Sequence, residues 1–142
     1  MSGFVLNFEN IKSFCERQTF QYKTNEEHGQ IAVLYKLLGQ DAPLIIIPRL
    51  ERGMVTLALT QPFRVPLDRY PHIGESLARL NASSYMGAWV LNFDKGEVYF
   101  RVTLPALDNL YSDQGLYFAA RVVVSSSEAM APRLLDVVAG KL

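Results

Sequence analysis

From Glu97 to Leu104 the chain alternates strictly: Val98, Phe100, Val102 and Leu104 are apolar, and Tyr99, Arg101 and Thr103 stand between them. A period of two sends the two sets to opposite faces of a strand, a separation that no helix produces. Just upstream, Asp94-Lys95-Gly96 supplies a turn in which Gly96 takes a positive φ, and a second apolar-rich run covers residues 85–93. Together they predict a β-hairpin whose buried side is Trp89, Leu91, Phe93, Val98, Phe100 and Val102. A sheet with one apolar face has to be covered, so the rest of the chain must supply the second layer.

Three segments read as helices able to do so. Asn7 caps a run in which Phe8, Ile11, Phe14 and Cys15 fall at spacings of three and four, predicting a helix over about residues 8–17. Tyr70, Ile73, Leu77 and Leu80 predict a second, starting at Asp68 or at Pro71, a residue tolerated only in a first turn, and ending near Leu80. Ser112-Asp113 starts the last, with Leu116, Ala120, Val123, Val124, Met130, Ala131, Leu134 and Val138 in helical register. Within it, Pro132 lacks a backbone donor and crowds the Glu128 carbonyl, while Ser125 with Glu128 fits a capping box, so a kink or break is expected between Ser125 and Pro132.

Between the first two helices the pattern is β. A short strand fits residues 20–23. Residues 30–38 then place Ile31, Val33, Tyr35 and Leu37 on one face and Ala32, Leu34, Lys36 and Leu38 on the other. Leu44 to Ile47 follows, and then residues 54–60, where Val55, Leu57 and Leu59 alternate with Thr56, Ala58 and Thr60. Short turns make these strands antiparallel neighbours. Pro43 and Pro48 bracket the middle strand and predict an edge position or an irregular end. Its four aliphatic residues hide the alternation that would assign its faces. Residues 61–66 carry two prolines and read as a loop. The expected fold is α+β and two-layered, a twisted antiparallel sheet in the order α-β-β-β-α-β-β-α with helices on one face, in a single domain over residues 1–142.

Composition removes several function classes. With 49% apolar, 11% aromatic and 20% charged residues, the chain is not a disordered one. Lys and Arg total 14, as do Asp and Glu, so no net positive field holds nucleic acid or an anionic membrane. Cys15 is the only cysteine, which forbids an internal disulfide and points to a reducing cytoplasm. The first residues lack a basic segment ahead of an apolar run and do not read as a signal peptide. The aliphatic run from Leu44 to Ile47 is far shorter than the roughly 18 residues a membrane span needs.

Chemistry-bearing motifs are sparse. His28 and His72 stand far apart and read as a turn histidine and a helix-start histidine, so no metal site is expected. Cys15, on an apolar helix face, reads as a small buried hydrophobe. Asp94-Lys95-Gly96 lacks the oxygen ligands of a Ca²⁺ loop, and no Gly-rich phosphate loop occurs, so no cofactor is expected. Arg49, Arg52, Arg64 and Arg69, interspersed with Glu51 and Asp68, read as a solvated sheet edge. Asp68, Glu75, Asp94, Glu97 and Asp108 read as surface carboxylates.

The run Leu80-Asn81-Ala82-Ser83-Ser84, the strand from Gly87 to Phe93, the Asp94-Lys95-Gly96 turn and Val98-Tyr99-Phe100-Arg101 together resemble the YbjN family of bacterial proteins. The loop from Pro105 to Leu110, the Ser112-Asp113 helix start and Pro132-Arg133-Leu134-Leu135 fit the same pattern over about residues 5–140. That resemblance implies the fold of type III secretion chaperones, frequent dimerisation, and a chaperone-like or regulatory role without enzymatic residues, with Asn81 ending the second helix.

The function expected is therefore a non-enzymatic protein-interaction module that binds a partner protein or peptide through a sheet face or edge. The alternative is a small-molecule-binding protein or hydrolytic enzyme with a pocket between sheet and helices. Leu34, Leu38, Met54 and Ala58 lie opposite the core-facing residues of their strands, and this apolar second face is expected to bind protein and to support a homodimer.

Overall fold

The computed structural model describes residues 3–141; Met1 and Ser2, the start of the segment read above for a signal peptide, lie outside the described residues with Leu142. The chain runs β1 (Phe4–Val5), α1 (Phe8–Arg17), β2 (Tyr22–Asn25), β3 (Gln30–Val33), β4 (Lys36–Leu37), β5 (Gln40–Asp41), β6 (Leu44–Arg49), β7 (Met54–Arg64), α2 (Tyr70–Ala82), β8 (Ala88–Asn92), β9 (Glu97–Pro105), β10 (Leu110–Tyr111) and α3 (Asp113–Val138). The two capped starts are where the side chains place them. Asn7 Oδ1 accepts from the Asn10 N–H at 2.7 Å, and Ser112 Oγ accepts from the Gly115 N–H at 3.0 Å. Among the described residues no helix is long and apolar enough to cross a membrane.

Six strands form one antiparallel sheet in the order β2-β3-β6-β7-β9-β8. Opposed residues in such a sheet share a face, so the register shows how the core is built. Ile31, Ile46, Leu57 and Val102 form one row across four strands, each at most 1% exposed. Val33, Leu44, Leu59, Phe100 and Trp89 form the next, also buried. All three helices serve this side: Ile11, Phe14 and Cys15 from α1, Ile73 and Leu77 from α2, and Leu116, Val123, Ala131 and Leu134 from α3 are buried in the same core. The two-layer α+β reading stands.

Several expectations need correction. The strand over residues 30–38 breaks at Leu34, and residues 36–41 fold back as the separate β4-β5 hairpin, because Leu38 and Gly39 both take positive φ. Of the two alternatives for the middle strand, an edge position is ruled out because β6 is interior, and an irregular end is what occurs. Pro48 is tolerated because β3 pairs only Leu44 to Ile46, so the proline sits past the end of that ladder. Residues 61–64 are not loop but continue β7, and Pro62 falls inside the register shift between Thr60 and Arg64. Phe93 is 68% exposed rather than core-facing. α3 is one uninterrupted helix through Pro132, and Ser127 Oγ donates to the Val123 carbonyl inside it. The two-residue β1-β10 pair, Phe4 with Tyr111 and Val5 with Leu110, joins segments far apart in the chain and leaves no local pattern that predicts it.

Candidate functional site

Among the described residues the helices bury their apolar sides in the core on one face of the sheet and none lies on the second face, whose composition follows from the register. One row crosses all six strands: Lys23, Ala32, Ile45, Ala58, Arg101 and Ala88. Beside it lie Ile47, Thr56 and Thr103, then Arg49, Met54 and Pro105; on its other side lie Thr60, Tyr99 and Val90. Ala32, Ile45, Ile47, Met54, Ala58, Tyr99 and Val90 are half-buried, and Lys23, Arg49 and Arg101 are exposed. The Arg49 Nε donates to Thr56 Oγ1 at 3.0 Å, and Thr56 and Thr103 share a hydroxyl hydrogen bond at 3.1 Å. This polar bridge spans β6, β7 and β9 and holds the Arg49 side chain against the sheet.

The structure divides the four residues expected to bind protein. Met54 and Ala58 lie on this open face, on one strand, four residues apart. Leu34 lies past the end of β3, where its N–H bonds the Gln21 carbonyl, and it is 46% exposed at the wall between two hollows. One hollow, of about 650 Å³, continues the open face past Lys23, Ala32, Lys36 and Asp41. The other, of about 480 Å³, lies on the helix side between Phe20, Tyr35, Tyr117 and Val124. Leu38 is removed from both, exposed at the tip of the β4-β5 hairpin with φ 52°. Ile45 and Ile47 were not assigned a face in the sequence, and their exposure here shows only through register with Ala58 and Thr56.

Elsewhere the titratable groups are dispersed. Burial, then Glu128, pushes the Tyr35 hydroxyl up to about 12. Cys15 is buried, and that burial, followed by Glu16, pushes its thiol up to about 11. The arginines read as one solvated edge are spread apart: Arg64 lies 3.9 Å from Glu97, and Arg69 donates to the Val137 carbonyl. A third hollow, of about 430 Å³, is lined mainly by Val55, Leu104, Leu107, Leu110 and Leu116. Asp41 is the only carboxylate lining any of the three hollows, and no group of three or more His, Cys, Asp or Glu among the described residues can hold a metal ion. Arg17 joins α1 to α3 by a double hydrogen bond to Asp113, at 2.6 and 2.8 Å, with its guanidinium 4.2 Å from the Phe4 ring.

Over residues 7–136 the chain matches the YbjN family, described as "Putative bacterial sensory transduction regulator". No curated protein matches the sequence. Among solved structures, the crystal structure of the ExsC-ExsE complex contains a similar chain, with a TM-score of 0.67 and 15% identity, covering 89% of this chain and 92% of that one. The HopA1-SchA chaperone-effector complex is similar at 0.64 and 12%, covering 88% and 94%. YbjN from E. coli, described as a putative transcription regulator, is similar at 0.64 and 12%, covering 94% and 91%. The fold is thus of the type III secretion chaperone kind.

Proposed function

The chain belongs to the YbjN family, and on that footing we propose that it is a non-enzymatic, chaperone-like or regulatory module that binds another protein through the helix-free face of its sheet. The observation that carries this reading is the row Ala32, Ile45, Ala58 with its neighbours Ile47 and Met54, an apolar floor spread over three strands and left uncovered by any helix among the described residues. Two of the structures similar in fold are complexes with a second protein, which supports the same reading. The buried, weakly acidic Cys15 and the apolar hollows favour binding over catalysis. The same proposal places the protein in a bacterial cytoplasm, where a lone thiol stays reduced.

Self-association into a homodimer is part of the proposal, supported by the exposed Leu34 and Tyr117 that rim the helix-side hollow. The test of partner binding is affinity capture with the intact chain and with Ala58→Gln, which puts bulk and polarity into the floor without altering charge. A partner held by the parent chain and lost by a folded Ala58→Gln is the expected result. Equal capture by both removes the open face as the binding surface.

A further inference from the structure

The cations of the open face say what kind of segment it takes. Lys23, Arg49 and Arg101 are exposed on it, and among the described residues none of them forms an ion pair. This occurs in a chain whose charges sum to zero, so the imbalance is local. Three carboxylates lie on or beside that face: Glu97 is 3.9 Å from Arg64, Asp41 stands opposite Lys36 and lines the hollow that Lys23 also lines, and Glu51 lines a hollow with Arg49, Arg52 and Ile47, so the cations Lys23, Lys36, Arg49, Arg52, Arg64 and Arg101 outnumber them. Arg101 is set between Ala58 and Ala88 on the adjoining strands, so small neighbours leave its guanidinium clear on both sides. Arg49 is anchored through Nε by Thr56, which leaves its two terminal nitrogens turned to whatever arrives.

We infer that this face takes an acidic amphipathic helix of a partner protein, lying across the strands with its apolar side on Ala32, Ile45 and Ala58 and carboxylates reaching Lys23 and Arg101. The inference rests on the proposed binding role and adds the chemistry of the partner. Lys23 and Arg101 stand in one row four strand spacings apart, about 19 Å, which a helix covers in about 13 residues. The small Ala32 and Ala58 on either side of Ile45 leave low ground beside it, where the side chains of a packed helix can settle. Nucleic acid is the poorer fit: its phosphates repeat every ~3.4 Å along a strand, and three cations spread over an aliphatic floor answer few of them. A second copy of the chain also fits badly, because twofold pairing of this face sets cations against cations.

The test uses a synthetic helical peptide of about 18 residues with Leu and Ala on one side and Glu before and after that stripe, beside the same peptide with Gln for Glu. Anisotropy titrations at about 0.15 M salt compare the intact chain with Arg101→Gln, Lys23→Gln and the double variant, each checked for folding by circular dichroism. The expected result is tighter binding of the Glu peptide, weakened up to about fivefold for each cation removed. Equal binding of the two peptides, or binding of neither, overturns the inference, as does Arg101-dependent binding of single-stranded RNA or anionic vesicles in place of the Glu peptide. The proposed protein-binding role is judged separately, by capture with Ala58→Gln, so a charge-blind partner lost in that variant sinks the acidic helix and leaves the role standing.

Discussion

Phe93 and Phe100 flank one hairpin turn and meet different environments. Phe100 is 2% exposed and packs on Trp89 with ring centroids 5.1 Å apart, whereas Phe93 continues the alternation of Trp89 and Leu91 yet stays 68% exposed, its ring edge-on to Tyr70 at 5.6 Å. The cause is Asn92, whose side-chain oxygen accepts from the N–H groups of Asp94 and Lys95 and turns the chain before Phe93 can point inward. Phe100→Ala is therefore expected to cost about 3 to 5 kcal/mol in chemical denaturation, and Phe93→Ala less than about 1 kcal/mol. Gln61 presents the opposite problem, being buried with neither amide atom hydrogen-bonded among the described residues. Gln61→Met, similar in volume, is expected to add about 1 to 3 kcal/mol to the unfolding free energy in chemical denaturation; a loss of stability would reveal a partner for the amide. Cys15 gives a pH prediction. Its folded-state value of about 11 lies above the ordinary 9.0, so the stability it lends is whole below pH 9 and drains away as pH rises towards 11. At neutral pH a thiol reagent should label the chain only as it unfolds, and rapid labelling of the folded protein would contradict the burial.

Elements are joined by side chains that local propensity does not reveal. Asn81, expected to end α2, lies inside it and reaches β8 instead: its Nδ2 donates to the Trp89 carbonyl at 3.0 Å and its Oδ1 accepts from the Trp89 N–H at 2.7 Å. The amide thereby acts as one more strand residue on the sheet's outer edge, and Asn81→Ala strips both bonds from Trp89. A cost of about 1 to 3 kcal/mol is expected, with faster amide exchange at Trp89 as the specific readout. Pro132 shows why a local rule failed at the same scale. Leu116, Ala120, Val123, Ala131, Leu134 and Val137 are buried on both sides of it, and Pro132 faces solvent, where water can satisfy the Glu128 carbonyl it leaves free. Packing along the whole stripe outweighs one missing hydrogen bond. What was legible in the sequence was what neighbours along the chain decide: the caps at Asn7 and Ser112, the turn at Gly96 with φ 68°, and the inward faces of β7 and β9. For the site, Met54 and Ala58 were legible for the same reason. Ile45 and Ile47 were not, since a run of four aliphatics has no visible period, and Leu34 and Leu38 were misplaced because positive φ at Leu38 and Gly39 folds the strand's end back as a hairpin.

At the scale of the molecule, the two apolar surfaces differ in what they can accept. The open face holds Lys23 and Arg101 on either side of the apolar stretch of one row, so a twofold axis through the middle of that stretch sets Arg101 against Arg101 or against Lys23 of the second copy. Like charges opposed in this way are destabilising. The helix-side hollow has no such conflict along its apolar wall, where Leu34, Tyr117 and Val124 surround about 480 Å³ and Arg121 stands as its one charged side chain. A homodimer should therefore form through the Leu34 end of the molecule and leave the sheet face for a different protein, so the two activities come apart by mutation. Leu34→Glu is expected to shift the mass in light scattering from dimer to monomer with stability unchanged, because Leu34 is 46% exposed and contributes little to the core. Ala58→Gln is expected to keep the dimer mass while losing the captured partner. A strict monomer in the parent chain would remove the dimer altogether, and dissociation by Ala58→Gln would move the interface onto the open face and require the cations of two copies to be reconciled there.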